Sequence, residues 1–188
     1  MKRFISTRVD TQPAPAGVPV WVIIISFLLL ISFLILIGIG LYHAQPRQLI
    51  IGQSAPDFSL VSFDGQLYNK DVLAGKIVIL HFWASWCGPC ENEAVLIENT
   101  WRRINDKADV LILGIDHADT EDDALQFLQE NRITYPNGAD KKSLIADAYR
   151  INGVPQTVIL DRTGKIAFIQ IGPFLSADSL IEIIEGIY

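Results

Sequence analysis

The chain has 188 residues, half of them hydrophobic, with a formal net charge of −6 and only two cysteines. No basic cluster offsets the acidic balance, which argues against nucleic acid as a partner, because such binding rests on Lys and Arg neutralising phosphates. Two cysteines in a chain this long exclude a small domain held together by disulfide staples.

The first feature in chain order is a stretch without charge. Residues 11–46 carry no Asp, Glu, Lys or Arg, and Val20 to Leu41 is an almost unbroken apolar run of 22 residues. A membrane span needs about 20 such residues, so this run is expected to be one transmembrane helix. A buried soluble helix would keep a polar stripe. A cleaved signal peptide would have a shorter apolar core and a small-residue cleavage site; cleavage after Ala44 would put Tyr42 where a small side chain is needed. An uncleaved anchor is therefore expected, with Trp21 and Tyr42 near its two ends. Lys2, Arg3 and Arg8 precede the run and only Arg47 follows it before Lys70. The positive-inside rule then predicts a cytoplasmic N-terminus and an external remainder. The expected division is an N-terminal segment 1–19, a span 20–41, a linker 42–51 and a folded domain 52–188. Setting aside Lys2, Arg3, Arg8 and Asp10 leaves residues 45–188 with 12 basic and 20 acidic side chains, a balance of −8.

The elements of the outer part come in order. Ala55 to Tyr68 alternates loosely around Asp64-Gly65, a hairpin signal. Ile77 to Trp83 is a short continuous apolar run, as in a central strand buried on both faces. A helix is predicted from about Pro89 to Asn105, a second buried strand over Val110–Ile115, and a helix over Thr120–Asn131. Thr120 is placed to cap that helix, and Glu121, Asp122 and Asp123 favour its N-terminal dipole. A short helix over Ser143–Arg150, strands over Gln156–Leu160 and Lys165–Ile171, and a last helix over Ser176–Gly186 complete the series. Strands alternating with helices predict an α/β sandwich on a βαβ unit, and the late pair of adjacent strands makes the sheet mixed.

Cys87 and Cys90 sit where the first buried strand gives way to a helix, in WASWCGPCENE. As a staple, a four-residue loop removes little chain entropy. As a zinc site the pair lacks ligands; His81 and His117 match no finger spacing, and no metal is expected. A reactive dithiol remains. Pro89 suits a first helical turn, and free N–H groups at a helix N-terminus favour a thiolate. Cys87, on the strand side, is the expected exposed nucleophile. Cys90 opens the stripe Cys90, Ala94, Ile97, Trp101, Ile104, which faces the core, so it is the expected shielded, resolving thiol. The disulfide Cys87–Cys90 would itself be the redox group, with no other cofactor.

These residues resemble the thioredoxin active site. Ala55-Pro56-Asp57-Phe58, the run Phe82-Trp83-Ala84-Ser85-Trp86-Cys87, and Gly153-Val154-Pro155-Gln156-Thr157 resemble the membrane-anchored thioredoxin-like family of TlpA and ResA type. The resemblance implies a thioredoxin-like three-layer sandwich outside a bacterial cytoplasmic membrane. It implies a thiol–disulfide oxidoreductase that reduces disulfides of exported proteins, often apocytochrome c, and draws electrons from a membrane dithiol donor. Pro155 matches that family's cis-proline facing the cysteines, and Val154 before it would offer backbone to an extended target. Trp86, Gly88 and Pro89 complete the expected target surface. Glu93, three residues after Cys90, matches a carboxylate near the thiols that would move protons, with a solvated first-turn Glu as the plainer reading. His81 departs from the thioredoxin pattern, which places Asp there; it reads either as a proton relay or as a hydrogen-bonded core histidine. Two other functions fit the same fold. A copper carrier would use wider cysteine spacing and a placed His. A peroxiredoxin-like peroxidase would carry its cysteine in a Pro-x-x-x-Thr/Ser-x-x-Cys setting, absent here.

Overall fold

The computed structural model describes the backbone of residues 19–43 and 49–188. The charges expected to set orientation (Lys2, Arg3, Arg8 and Arg47) lie outside the described residues, as does Ala44. The first described element is helix α1, Val20–His43. It is the one helix among the described residues long and apolar enough to cross a membrane. It forms a compact unit separate from the rest of the chain, and the two are described apart.

In the second unit, strands β1 (Ser59–Val61) and β2 (Leu67–Asn69) form the hairpin, paired antiparallel around Gly65 at φ +87°. A backbone turned that far favours glycine. A short helix α2, Lys70–Leu73, comes at once, its first amides accepted by the Asn69 side chain. Then come β3 (Ile77–Trp83), α3 (Gly88–Ile104), β4 (Val110–Asp116) and α4 (Glu121–Glu130). Thr120 caps α4 as expected, accepting from the Asp123 amide. Next are β5 (Asn137–Ala139), a 3₁₀ turn over Lys141–Ser143, α5 (Leu144–Ala148), β6 (Gln156–Leu160), β7 (Ile166–Ile171) and α6 (Ala177–Ile187).

The five-stranded sheet runs β5-β4-β3-β6-β7, with β3, β4 and β5 parallel and β6 and β7 antiparallel to their neighbours. Every residue of β3 is buried, as a continuous apolar run in a doubly covered strand requires. Alternation sends Ile77 and Ile79 toward α3 and α6, where they pack with Ile97, Ile104, Leu180 and Ile184. Val78, Leu80 and Phe82 pack on the opposite face with Leu60, Ile145 and Tyr149. Each such side chain contributes about 1.5–3 kcal/mol of burial. This is the mixed, three-layer α/β sandwich expected from the sequence.

One local expectation needs correction, and two short elements carry no clear signal in the sequence. The predicted helix over Ser143–Arg150 is shorter, because Lys142 and Ser143 both have positive φ, at 62° and 55°, and break its start. β5 was not foreseen: Asn-Gly-Ala reads as a turn, yet it pairs with Gly114–Asp116 at the sheet edge. Nor was α2, whose four residues are too few to show a period.

The hairpin rests on β5 by close backbone approach. The Phe63 amide donates to the Asn137 carbonyl at 2.8 Å. A methyl at Gly138 would lie 2.5 Å from the Val61 carbonyl oxygen and 3.0 Å from Ser62 Cα. Gly138→Ala should therefore destabilise the domain by about 1–3 kcal/mol. A guanidinium melt would read this as an earlier midpoint; an unchanged midpoint would show that the hairpin can lift off β5 without loss.

Candidate active site

β3 ends at Trp83, and the chain must turn at once to start α3 at Gly88. Cys87 takes the N-cap position of α3, with extended backbone at φ −92° and ψ 103°. Its sulfur accepts from the Cys90 amide at 3.2 Å, and its carbonyl accepts from the amides of Cys90 and Glu91. Pro89 sits in the first turn, where its missing N–H costs nothing. The two sulfurs are joined as a disulfide, with the Cα atoms 5.2 Å apart. Cys90 is 1% exposed and Cys87 5%. Cys87 is thus more enclosed than its place on the strand side suggested, because its sulfur lies 3.5 Å from the Val154 carbonyl oxygen.

Val154–Pro155 is a cis peptide. Val154 packs half-buried on a cluster that contains Trp83, Cys87, Cys90, Ala94, Ala124 and Phe127. Gly88 and Pro89 are exposed and Trp86 is 63% exposed. The residues expected to meet a target, Trp86, Gly88, Pro89, Val154 and Pro155, are therefore gathered around the disulfide. Trp83 is core: it is stacked on Phe127, and its indole N–H donates to Asn137 Oδ1 at 2.8 Å.

Two predicted titratable residues are buried. Glu93 is 2% exposed, so the solvated first-turn reading does not hold. Its Oε1 accepts from the Phe174 amide at 2.7 Å, and its Oε2 has no partner. Burial pushes its pKa up to about 7, against the smaller lowering effect of the Phe174 amide. Cys90 and Glu93 share a helix face one turn apart. His81 is 1% exposed, and alternation puts it on the α3 side of the sheet between Ile79 and Trp83. Its Nδ1 is 3.1 Å from Thr157 Oγ1. Burial lowers its pKa to about 4, so the imidazole is neutral at neutral pH.

A further buried acid, Asp116, did not emerge from the sequence. It closes β4 at the level of Trp83, its register partner on β3. Burial first, then the neighbouring Asp119 and Asp140, raise its pKa to about 8. Asp119 accepts from the Ser85 amide at 2.6 Å and from the Ser85 hydroxyl at 2.9 Å. A signal existed: β3 and β4 are parallel, so the loops leaving their C-terminal ends emerge side by side. Among the described residues, no group of three or more His, Cys, Asp or Glu is placed to hold a metal ion.

Glu93 carries a linked pH dependence. Its folded pKa of about 7 lies above the ordinary 4.5. Between these values the folded state keeps a proton that the unfolded chain has released, so stability should fall as pH rises across that interval. Asp116 adds a slope of the same sign. Glu93→Gln keeps an acceptor for the Phe174 amide and carries no charge, so it should flatten the wild-type slope by up to about 3 kcal/mol. Guanidinium melts of both proteins on either side of the interval provide the comparison; parallel slopes would show that Glu93 titrates like a surface carboxylate.

Comparison with known proteins agrees with this geometry. Residues 51–169 match the AhpC/TSA family. The thioredoxin-like protein YneN of Bacillus subtilis is 37% identical over 122 residues, 64% of this chain and 71% of that protein. The thiol-disulfide oxidoreductase ResA of Bacillus cereus is 29% identical over 133 residues, 69% of this chain and 76% of that one. The crystal structure of StoA from Bacillus subtilis superposes with a TM-score of 0.61 at 25% identity, covering 70% of this chain and 99% of that chain. The chain belongs to the AhpC/TSA family, has the thioredoxin-like fold, and is a thiol–disulfide oxidoreductase.

Proposed function

We propose that this oxidoreductase is a single-pass, membrane-tethered reductase of the bacterial cytoplasmic membrane. Its N-terminus lies in the cytoplasm, and its thioredoxin-like domain outside reduces disulfides of exported proteins, with apocytochrome c as one such substrate. The observation that carries this reading is the placement of Cys87 Sγ. It sits at the N-terminus of α3, bonded by the Cys90 amide on one side and in contact with the Val154 backbone on the other. A sulfur held this way is stabilised as a thiolate once reduced. A target strand laid along Val154 would bring its own disulfide to that sulfur.

The Cys87 thiolate attacks one sulfur of the target disulfide; a mixed disulfide forms and the other target sulfur leaves as a thiolate, which takes a proton. Cys90 then loses its proton and attacks Cys87 Sγ. The Cys87–Cys90 disulfide forms and the second target sulfur is released. Two electrons pass from this chain to the target, and a membrane dithiol must return them. Glu93, poised near neutrality by burial, is the group on the Cys90 face suited to take that proton. His81 is uncharged at neutral pH and bonds to Thr157, which favours the core-histidine reading over the relay.

Reduction is favoured over oxidation by the Gly-Pro pair between the cysteines, which resembles that of thioredoxin. The redox potential, measured by equilibration with glutathione, should fall near thioredoxin's value of about −270 mV rather than the value of about −120 mV for a strong oxidant. Cys90→Ser in native membranes should accumulate a mixed disulfide through Cys87, visible as a reductant-sensitive adduct that names the target. No adduct with Cys90→Ser, together with tight Cu(I) binding by the reduced pair or peroxide turnover at a catalytic rate, would move the chain to the carrier or peroxidase reading.

A further inference from the structure

Three uncharged segments meet at the disulfide. Residues 84–90 carry it, residues 153–157 approach its outer sulfur, and residues 171–176 follow β7; none of them contains Asp, Glu, Lys or Arg. The third is tied to the other two by hydrogen bonds. The Gly172 amide donates to the Pro155 carbonyl at 3.0 Å, and Pro155 follows Val154, whose carbonyl oxygen lies 3.5 Å from Cys87 Sγ. The Phe174 amide donates to Glu93 Oε1 at 2.7 Å, one turn beyond Cys90 on α3. The segment between these ties has little freedom. Gly172 turns the chain at φ +81°, the Pro173 ring fixes the next φ, and Phe174 is 7% exposed and stacked near Phe168.

Two large apolar side chains flank this tied segment and stay in solvent. Ile171 ends β7 opposite Gln156 and is 80% exposed. Leu175 is 95% exposed. It stands just before Ser176, the N-cap of α6, whose hydroxyl accepts from the Ser179 amide at 3.1 Å. An apolar residue at that position ordinarily packs on the fourth residue of the helix, which here is Leu180. Leu180 is fully buried without it, so Leu175 does not serve its own helix. Trp86, next to Cys87, is a third exposed apolar side chain, at 63%.

We propose that Ile171 and Leu175 are specificity-determining residues, and that the partner they select is an extended protein segment with an uncharged, apolar side chain within two residues of its reacting cysteine. Any target must bring a sulfur to Cys87, one hydrogen bond from the segment that carries both side chains. An extended chain advances about 3.3 Å per residue, so the target's near neighbours stay close to that sulfur. The absence of charge on all three segments favours an apolar neighbour over Lys or Asp, whose desolvation nothing there would offset. Because the segment is already held, little freedom is lost when a target covers it. The proposal names the substrate class for the reductase reading, and it rests on that reading only in taking Cys87 as the sulfur a target must reach.

The experiment mixes the reduced full-length protein in detergent micelles with disulfide-linked dimers of a short peptide that has one cysteine, flanked on both sides by Leu, Ser or Lys. Each turnover converts one peptide disulfide into two thiols while the Cys87–Cys90 dithiol becomes the disulfide. Wild type should reduce the Leu peptide about tenfold faster than the Ser peptide. That ratio is the readout, because a change in the intrinsic reactivity of Cys87 moves both rates alike. In the double variant Ile171→Ser with Leu175→Ser, changed only at exposed positions, the ratio should fall to about twofold. A ratio near one in wild type, a Lys peptide faster than the Leu peptide, or an unaltered ratio in the double variant overturns the proposal. An unaltered ratio with loss of self-association in sedimentation would assign the two side chains to a second copy instead. The reductase reading fails separately. If wild type leaves every peptide disulfide intact, that reading falls, and the same ratio is measured for the oxidised protein acting on the peptide thiols, where a value near one again overturns the proposal.

Discussion

The junction between β3 and α3 is the constraint on which the site depends. A fully buried strand ends at Trp83 and a helix begins at Gly88, leaving four residues to reverse the chain. The unpaired amides of the first helical turn must find acceptors, and Cys87 supplies both its carbonyl and its sulfur. The bond that completes the helix is thus the bond that prepares the sulfur for chemistry. Everything packed around the junction, from the cis-proline segment to the turn after β4, serves to hold it in one place.

Burial also controls protons on both sides of this junction. Glu93 and Asp116 are carboxyls whose pKa values are raised to about 7 and about 8, while the His81 imidazole is lowered to about 4. The cause is common: low polarity disfavours the charged form of either kind of group. Because the ordinary values differ, the outcomes differ too. The two acids are brought into the range where a proton can be gained and lost at neutral pH, while the histidine is taken out of it. A thioredoxin-like site with His in place of the buried Asp therefore holds a neutral imidazole there, while Glu93 stands on the same helix face as Cys90, one turn away. The unpartnered oxygens of Glu93 and Asp116 mark where stability is given up to keep these groups buried.

Much of this was legible in residue order. The apolar run of β3, the β-branched β4, the capped helix α4 and the CxxC pair each carry a strong local signal. The stripe from Cys90 to Ile104 told that Cys90 faces inward, but not that Cys87 is buried as well. The parts that escaped have short or misleading signals. Asn137-Gly138-Ala139 has turn composition but becomes an edge strand, since Gly114 and Gly138 admit close approach and Asn137 bonds the Trp83 indole. Asp116 reads as the polar end of a strand and becomes a buried acid only in the folded domain, where β4 lies in register with β3.

By itself the sequence determined what is local: the identity and spacing of the reactive pair, the period of each long element, and an apolar run long enough to cross a membrane. These depend on neighbours within one or two turns of chain. Tertiary structure alone decided which polar groups lose water. Glu91 and Glu93 differ by two positions on one helix, yet one is exposed and the other buried against the Phe174 amide 81 residues away. Desolvation depends on what arrives from distant parts of the chain, so the proton chemistry of the site is a property of the fold.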